Sequence, residues 1–533
     1  MKNLVGFIKD QMDKIQVFVE SVEDSKTPMI YFILTFLFAV TLRNFFDTIT
    51  DTTVSLETRF SIGLHGVPIL SFIENTLWYI NLALILVIVL HFASRVRVDR
   101  ILRLVLPGFL VLLTVSFVDF ILSGGVGFDQ SYMLPELHRD VLLRWVTFSI
   151  PYHGRGVTPG MITESMIVMI ALFGYIYIKT RSIVRGLVFT YLAYTATFFW
   201  GAMPFALKSF LGLFGLEYLP TPLLSMSFMM LISLPLGILL YYLYNRDYFV
   251  TLLRDIPVFR VLHYELMFIL GIFLGMNIFH KTFEITVDNL FQWFFTPIAV
   301  FFAGVCSLIV NNLHDYPIDE VSNVSRSTVT GAIPLTHYKQ LAIVSFILAF
   351  LYSVVVSFVA AFLIIVGIGN YFLYSAPPFR LKRVPFFSKF FISLNSLLLV
   401  LVGYYYVTGT TDIPLIIFLF FLVGFTAFIN FIDIKDYEGD KKAGILTIPT
   451  MLGLKKGKFL IGLFFLLGYI GMASLLKDIV FSIFMLIVGV SQFLLINRRN
   501  YDEKPVFALY LLSLVVFILY TTMYPLSFEG FTP

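Results

Sequence analysis

Apolar runs of about 18 or more residues, long enough to cross a bilayer, recur along the whole chain with short polar breaks between them. They predict helical spans near 29–45, 74–94, 103–123, 161–178, 184–204 and 222–244. After the polar stretch "NRDYFVTLLRDIPVFR" at 245–260, a second set follows near 261–280, 290–310, 340–356, 357–374, 386–407, 412–431, 457–475, 477–496 and 505–525. In hydrocarbon a helix satisfies its own backbone hydrogen bonds, so the pattern predicts an all-α polytopic membrane protein of about fifteen spans. The break at 245–260 separates an N-terminal membrane domain of about six helices, 1–250, from a C-terminal domain of nine, 251–533. The first 28 residues have no continuous apolar core and predict no cleavable signal. Their pattern, "NLVGFIKDQMDKIQVFVESV", is that of an amphipathic helix on the cytosolic membrane face.

Charge placement orients the spans. With a cytosolic N-terminus, the cytosolic side receives "SRVRVDRILR", "KTRSIVR", "NRDYFVTLLRDIPVFR", "FRLKR", "LKKGK" and "NRRNYDEK", all rich in Lys and Arg. The outer loop "TGTTD" has neither; the long outer loop 124–160, with Arg139, Arg144 and Arg155, is a partial exception. Of 533 residues, 59% are hydrophobic and 13% charged, and the net charge of +4 is too small to point to a nucleic-acid partner. The single cysteine, Cys306, excludes an intramolecular disulfide and sits in an apolar run.

Against this background the polar residues at helix mouths stand out. "NNLHDYPID", 311–319, follows about twenty apolar residues, and amides and carboxylates are costly where water is scarce. Asn311, Asp315 and Asp319 are four apart and share one helical stripe, while Asn312 points about 100° away from it. Pro317 is expected to end or distort the helix near residue 316, which places the first two better than Asp319. A second stretch, "DIKDYEGD", puts Asp433, Asp436 and Asp440 at i, i+3 and i+7, again one stripe. Four spans separate Asp315 from Asp436, so both stretches lie on the same, cytosolic, side. Two facing acidic stripes repel unless cations lie between them. Hard oxygen donors suit Mg²⁺, which takes one or two carboxylates and completes its shell with water and phosphate oxygens. Between them in sequence, "YSAPPFRLKR" offers Arg380, Lys382 and Arg383 to phosphate oxygens. Alone it would be an ordinary juxtamembrane anchor; its place between the acidic stretches makes it a candidate diphosphate contact.

These three stretches resemble the UbiA superfamily of intramembrane prenyltransferases, whose first motif is usually NDxxDxxxD and whose second is DxxxD or DxxDxxxD. The similarity continues through "NVSRSTVTGAIPL", with Ser327 where the family usually has proline, and "GDKKAGILTIPTMLG"; it covers roughly residues 255–530. It implies a nine-helix bundle and Mg²⁺ contacts from Asn311, Asp315, Asp436 and Asp440, with Asp319 and Asp433 as supporting or second-site ligands. It also implies diphosphate contacts from Lys382 and Arg326, with Asp315, Asp436 and Lys382 carrying catalysis. The implied reaction is Mg²⁺-dependent transfer of a polyprenyl group from a prenyl diphosphate to an aromatic or quinone precursor or a glycerol-phosphate lipid. Asn312 departs from the usual aspartate, but lies off the stripe. Tyr371 and Tyr374 are candidates to stabilise positive charge through their rings, and equally fit an interfacial aromatic belt.

Residues 1–250 carry no comparable motif. Glu74, Asp119 and Glu164 lie in or near spans, Asp119 deepest. "IPYHGRGVTPG" places His153 and Arg155 in the long loop, where they could meet an anionic headgroup. Two rival readings are a transporter with the acids as ion sites, and a catalytically silent scaffold that binds prenyl lipids.

Overall fold

The computed structural model describes residues 2–50, 67–125, 128, 141–150, 157–213, 215, 222–281, 287–322, 324–384, 387–442, 444–475 and 478–524. His153 and Arg155 therefore lie outside the described residues. The chain divides into two compact units, Met1–Arg246 and Asp247–Pro533. Among the described residues, fifteen helices are long and apolar enough to cross a membrane, six in the first unit and nine in the second.

In the first unit a surface-type helix, Lys2–Glu23, precedes the spans. Its last residue, Glu23, is buried and accepts from the Tyr175 hydroxyl at 2.8 Å and from Lys179 Nζ at 2.7 Å. The span expected at 103–123 runs instead from Val98 to Leu122 in two α-helical segments joined by a 3-10 turn at Phe109–Val111. Pro107 lies two residues before that turn; lacking an N–H and clashing with the preceding turn, it disturbs the α ladder there. Asp119 has a structural part: its Oδ1 accepts from the backbone N–H of Gly160 at 2.7 Å, at the start of helix Pro159–Thr180. A Cβ on Gly160 would stand 2.4 Å from the Val115 carbonyl, so only glycine lets the helix end come so close.

In the second unit, helices Val258–Ile278 and Phe387–Thr408 cross with their backbones in contact. A Cβ on Gly271 would lie 2.0 Å from the Val400 carbonyl, and one on Gly403 2.0 Å from that of Phe268. Small residues at such crossings let membrane helices gain dispersion energy where lipid offers no hydrophobic drive. Met267, Leu397, Val400, Tyr404, Phe425 and Phe465 belong to the buried core around that crossing. The helices expected at 340–356 and 357–374 are separate: Ser357 is extended, and its Oγ caps the second by accepting from Val359 N–H.

Two elements of the second unit depart from the sequence expectation. Helix Val287–Ser322 does not end near residue 316 but continues through Pro317 to Ser322. An ion pair between Asp319 and Arg326 ties its last turns to the following loop, which offsets the hydrogen bond that Pro317 cannot make. The span over 412–431 is not one regular helix: α-helix at Leu415–Leu419 gives way to π-helix at Phe420–Phe425, then a short α turn and 3-10 helix to Asp433. Helix resumes at Tyr437–Lys442, so Asp433, Asp436 and Asp440 occupy three kinds of backbone rather than one stripe.

Candidate active site

The long helix Val287–Ser322 delivers Asn311 and Asp315 to the end of the second unit's bundle, where the loop after helix Phe358–Ser375 folds onto them. Asn311 Oδ1 accepts from Ser375 Oγ at 3.0 Å and from Lys382 Nζ at 3.3 Å. Asp315 Oδ1 takes an ion pair from Lys382 and a second hydrogen bond from Arg380 Nη2 at 3.1 Å. Arg380 also donates to the carbonyl of His314 at 3.0 Å and has a left-handed backbone, φ 45°. That conformation is unfavourable for a residue with a Cβ, and here it turns the guanidinium toward the acidic helix. Lys382 is 9% exposed; burial pulls its ammonium below the usual lysine range, with Asp315 opposing that shift. Arg383, next along the turn, is exposed.

Asp319 is buried and paired with Arg326, one helical turn beyond Asp315. The adjacent Ser327 and Tyr338 hydroxyls lie 2.8 Å apart and both hydrogen-bond to Asp255. Ser327, at the position usually proline in the resemblance above, thus anchors the loop that carries Arg326. Asn312 is buried at 4% exposure and its side chain makes none of the contacts of Asn311 or Asp315.

The second acidic stretch has a different balance. Asp433 is buried against Lys389 of helix Phe387–Thr408, and the two form an ion pair. Asp440 is pushed up to about 7, first by burial and then by the charges of Asp433 and Asp436, against weaker opposition from Lys389 and Lys382. Asp436 is also raised, mainly by burial, with Lys435 opposing. Lys435 itself pairs with Glu503 at 2.5 Å. Lys382 acts electrostatically on both Asp315 and Asp440, so it stands between the two stretches. Helix Tyr437–Lys442 touches helix Val287–Ser322 directly.

Among the described residues, no three His, Cys, Asp or Glu side chains are gathered closely enough to hold a metal by themselves. The donor set nevertheless fits a hard cation. Asp436 and Asp440 are oxygen donors whose proton affinity is raised first by burial, with the charge of Asp433 acting on both, and a divalent ion stabilises such carboxylates as a proton does.

Three site residues are absent from the sequence reading. Lys389, in "PFFSKFFISL", is a lone charge entering an apolar run, which is itself a functional signal. Arg260 begins helix Val258–Ile278 and lies within electrostatic reach of Asp436, Tyr371 and Tyr374; in sequence it merges with the juxtamembrane basic loop. Asp255 had no local signal, because its partners are 72 and 83 residues away. The Tyr371 and Tyr374 rings are tilted against each other, centroids 5.3 Å apart. Beside Tyr264 and Tyr371, deeper in the bundle, lies a small cavity of about 40 Å³.

A polytopic helical membrane protein with oxygen-donor and cationic stretches facing each other at one end of a nine-span unit is the class these features define. Residues 285–515 match the family model described as "UbiA prenyltransferase family". No family match covers the N-terminal half. A digeranylgeranylglyceryl phosphate synthase from Methanobrevibacter smithii is 31% identical over 170 residues, 30% of this chain and 57% of that protein. A probable chloroplastic homogentisate phytyltransferase 2 from Oryza sativa subsp. japonica is 29% identical over 180 residues, 32% of this chain and 47% of its own length. The chain thus spans about half the length of the curated relatives it matches. A solved UbiA homolog from Archaeoglobus fulgidus, bound to DMAPP and Mg²⁺, aligns with a TM-score of 0.42 at 19% identity, over 51% of this chain and 98% of that one.

Proposed function

We propose that the second unit transfers a prenyl group from its diphosphate to a membrane-accessible acceptor, a glycerol-phosphate lipid or an aromatic quinone precursor. The observation that carries this reading is the opposition of two unlike halves: Asn311 and Asp315 under Lys382 and Arg380, and Asp436 and Asp440 with raised proton affinity. Such a place takes up a polyanion together with divalent cations. The domain division, the cytosolic position of this face and the residue roles below belong to the same proposal.

Asn311, Asp315, Asp436 and Asp440 are the residues that would hold Mg²⁺, with Asp319 and Asp433 supporting because Arg326 and Lys389 already engage them. Bound there, Mg²⁺ supplies charge neutralisation for a diphosphate leaving group. Lys382 and Arg380 rest on Asp315 and move to phosphate oxygens when the substrate arrives, Arg380 as a fork and Lys382 as a point charge. Arg326, positioned by Asp255 through Ser327, and Arg260 add positive charge around the same anion. The allylic C–O bond breaks with its electron pair on the diphosphate, an electron pair of the acceptor forms the new bond, and the acceptor gives up a proton. Tyr371 and Tyr374 face the developing allylic cation with their rings. Exclusion of bulk water by the surrounding spans protects that cation from hydrolysis.

The relatives' names favour acceptors carrying either glycerol phosphate or an aromatic ring. Lipid mass spectrometry of membranes with and without the full-length protein tests the reading. A new prenylated lipid or quinone precursor is expected; an unchanged profile, with purified protein inert toward both acceptor classes, contradicts it.

A further inference from the structure

In sequence "NRRNYDEK", 497–504, is a basic juxtamembrane loop; folded, it closes onto the backbone just ahead of Asp436. It joins helix Ile479–Asn497 to helix Glu503–Met523. The Tyr501 hydroxyl donates to the carbonyl of Phe431 at 2.9 Å. Two residues on, Glu503 pairs with Lys435 at 2.5 Å. One helical turn further, the Phe507 ring packs edge-on against that of Phe431, centroids 5.3 Å apart. Asp502 caps the helix by accepting from Lys504 N–H at 3.0 Å, so all three contacts issue from one fixed helix start.

The loop is itself held. Lys458, buried in helix Leu454–Leu475, donates to the Arg498 carbonyl at 3.0 Å and lies 5.5 Å from the centre of the Tyr501 ring. A lysine inside a span is costly, and here it fixes both the start of the loop and the ring that carries the hydroxyl.

The gripped segment needs an outside hold. Residues 434–436 form turns between the 3-10 segment Ile429–Asp433 and helix Tyr437–Lys442. The Ile434 N–H reaches the Phe431 carbonyl at a long 3.3 Å, and that same carbonyl is the one Tyr501 engages. Lys435 adjoins Asp436 and favours its ionised form, while Glu503 opposes that influence. An ammonium left free there would compete with a metal for Asp436; Glu503 holds it away.

We propose that Tyr501 and Glu503 are positioning residues for cation binding: Tyr501 fixes the backbone that carries Asp433 and Asp436, and Glu503 keeps the Lys435 charge from taking the metal's place. This rests on the reading above that Asp436 and Asp440 take a divalent cation.

The test measures binding of Mn²⁺, a paramagnetic stand-in for Mg²⁺, to the full-length protein in nanodiscs with the slow-reacting substrate geranylgeranyl S-thiolodiphosphate. Tyr501→Phe keeps the ring over Lys458 and loses only the hydroxyl. It should raise the Mn²⁺ concentration for half-saturation about fivefold, the worth of one hydrogen bond, with KM for geranylgeranyl diphosphate at saturating Mg²⁺ unchanged. Glu503→Gln should weaken Mn²⁺ about threefold and Lys435→Gln should tighten it about threefold, modest shifts because Lys435 is 43% exposed and screened. The double variant Lys435→Gln/Glu503→Gln should return to within about twofold of wild type. An ion pair acting only on stability would move both single variants the same way. Wild-type affinity in Tyr501→Phe, or shifts of one sign in the two single variants, overturns the clamp. A wild-type protein that binds no Mn²⁺ beyond the thiolodiphosphate alone contradicts instead the cation reading of the site, and the clamp falls with it.

Discussion

The two acidic stretches of the second unit hold the same kinds of side chain in opposite states. Along 311–319 each carboxylate has its own cation: Asp315 has Lys382 and Arg380, and Asp319 has Arg326. Along 433–440, among the described residues, only Asp433 is so served, by Lys389, while burial and their neighbours raise the proton affinity of Asp436 and Asp440. On the proposed reading the first stretch hands its cations to an arriving anion and the second receives a cation. An asymmetric pair of this kind avoids the repulsion that two bare acidic stripes would suffer. Removing Asp315 does not relieve repulsion; it strands two cations.

The largest effect should therefore follow Asp315→Ala. Diphosphate release should fall at least a thousandfold, and the protein without Mg²⁺ should lose roughly 3 kcal/mol as buried Lys382 loses its partner. Kinetics and thermal unfolding of one preparation check both; stability equal to or above wild type would mean that Asp315 is not compensated as described. Lys389→Met should cost a similar amount, roughly 3 kcal/mol, because Asp433 is left buried without its cation. Here the double variant Lys389→Met/Asp433→Asn should recover most of the loss, and failure to do so would separate the pair from stability.

The second stretch should respond to protons. Asp440 binds its proton more tightly folded than unfolded, so the folded protein takes up protons as pH falls below about 7. Without Mg²⁺, stability should rise between pH 8 and pH 5, by about 1–2 kcal/mol after allowance for solvent screening. Saturating Mg²⁺ or Asp440→Asn should flatten that slope. A slope unchanged in Asp440→Asn would assign it to another group. The smallest effect on catalysis belongs to Asn312→Asp, which adds the usual family carboxylate off the stripe and into a buried position. Activity should change less than about threefold, mainly through apparent Mg²⁺ affinity, while stability drops by about 1–3 kcal/mol because the new carboxyl is desolvated.

Much of this architecture was legible in the chain because hydrocarbon is a severe filter: a span must be long, apolar and helical, so counting spans needs no tertiary information. The acidic stretches were legible for the same reason, as polar residues where they are costly. What escaped is whatever depends on backbone irregularity or distant partners. Periodicity assumes a regular helix, and the π and 3-10 segments between Phe420 and Asp433 break that assumption without a proline to mark them. Pro317 misled in the opposite direction, since the helix persists around it. Asp255 and Lys389 gain their meaning from Tyr338, Ser327 and Asp433, contacts made only by folding.

The most direct test of the central claim is diphosphate release from geranylgeranyl diphosphate by the purified full-length protein, with a glycerol-phosphate or aromatic acceptor, while Mg²⁺ is titrated from chelated to saturating. Release should be absent under chelation, rise with Mg²⁺, and fall to background in Asp436→Asn/Asp440→Asn at every Mg²⁺ concentration. Release that persists under chelation, or survives intact in that double variant, would contradict the account.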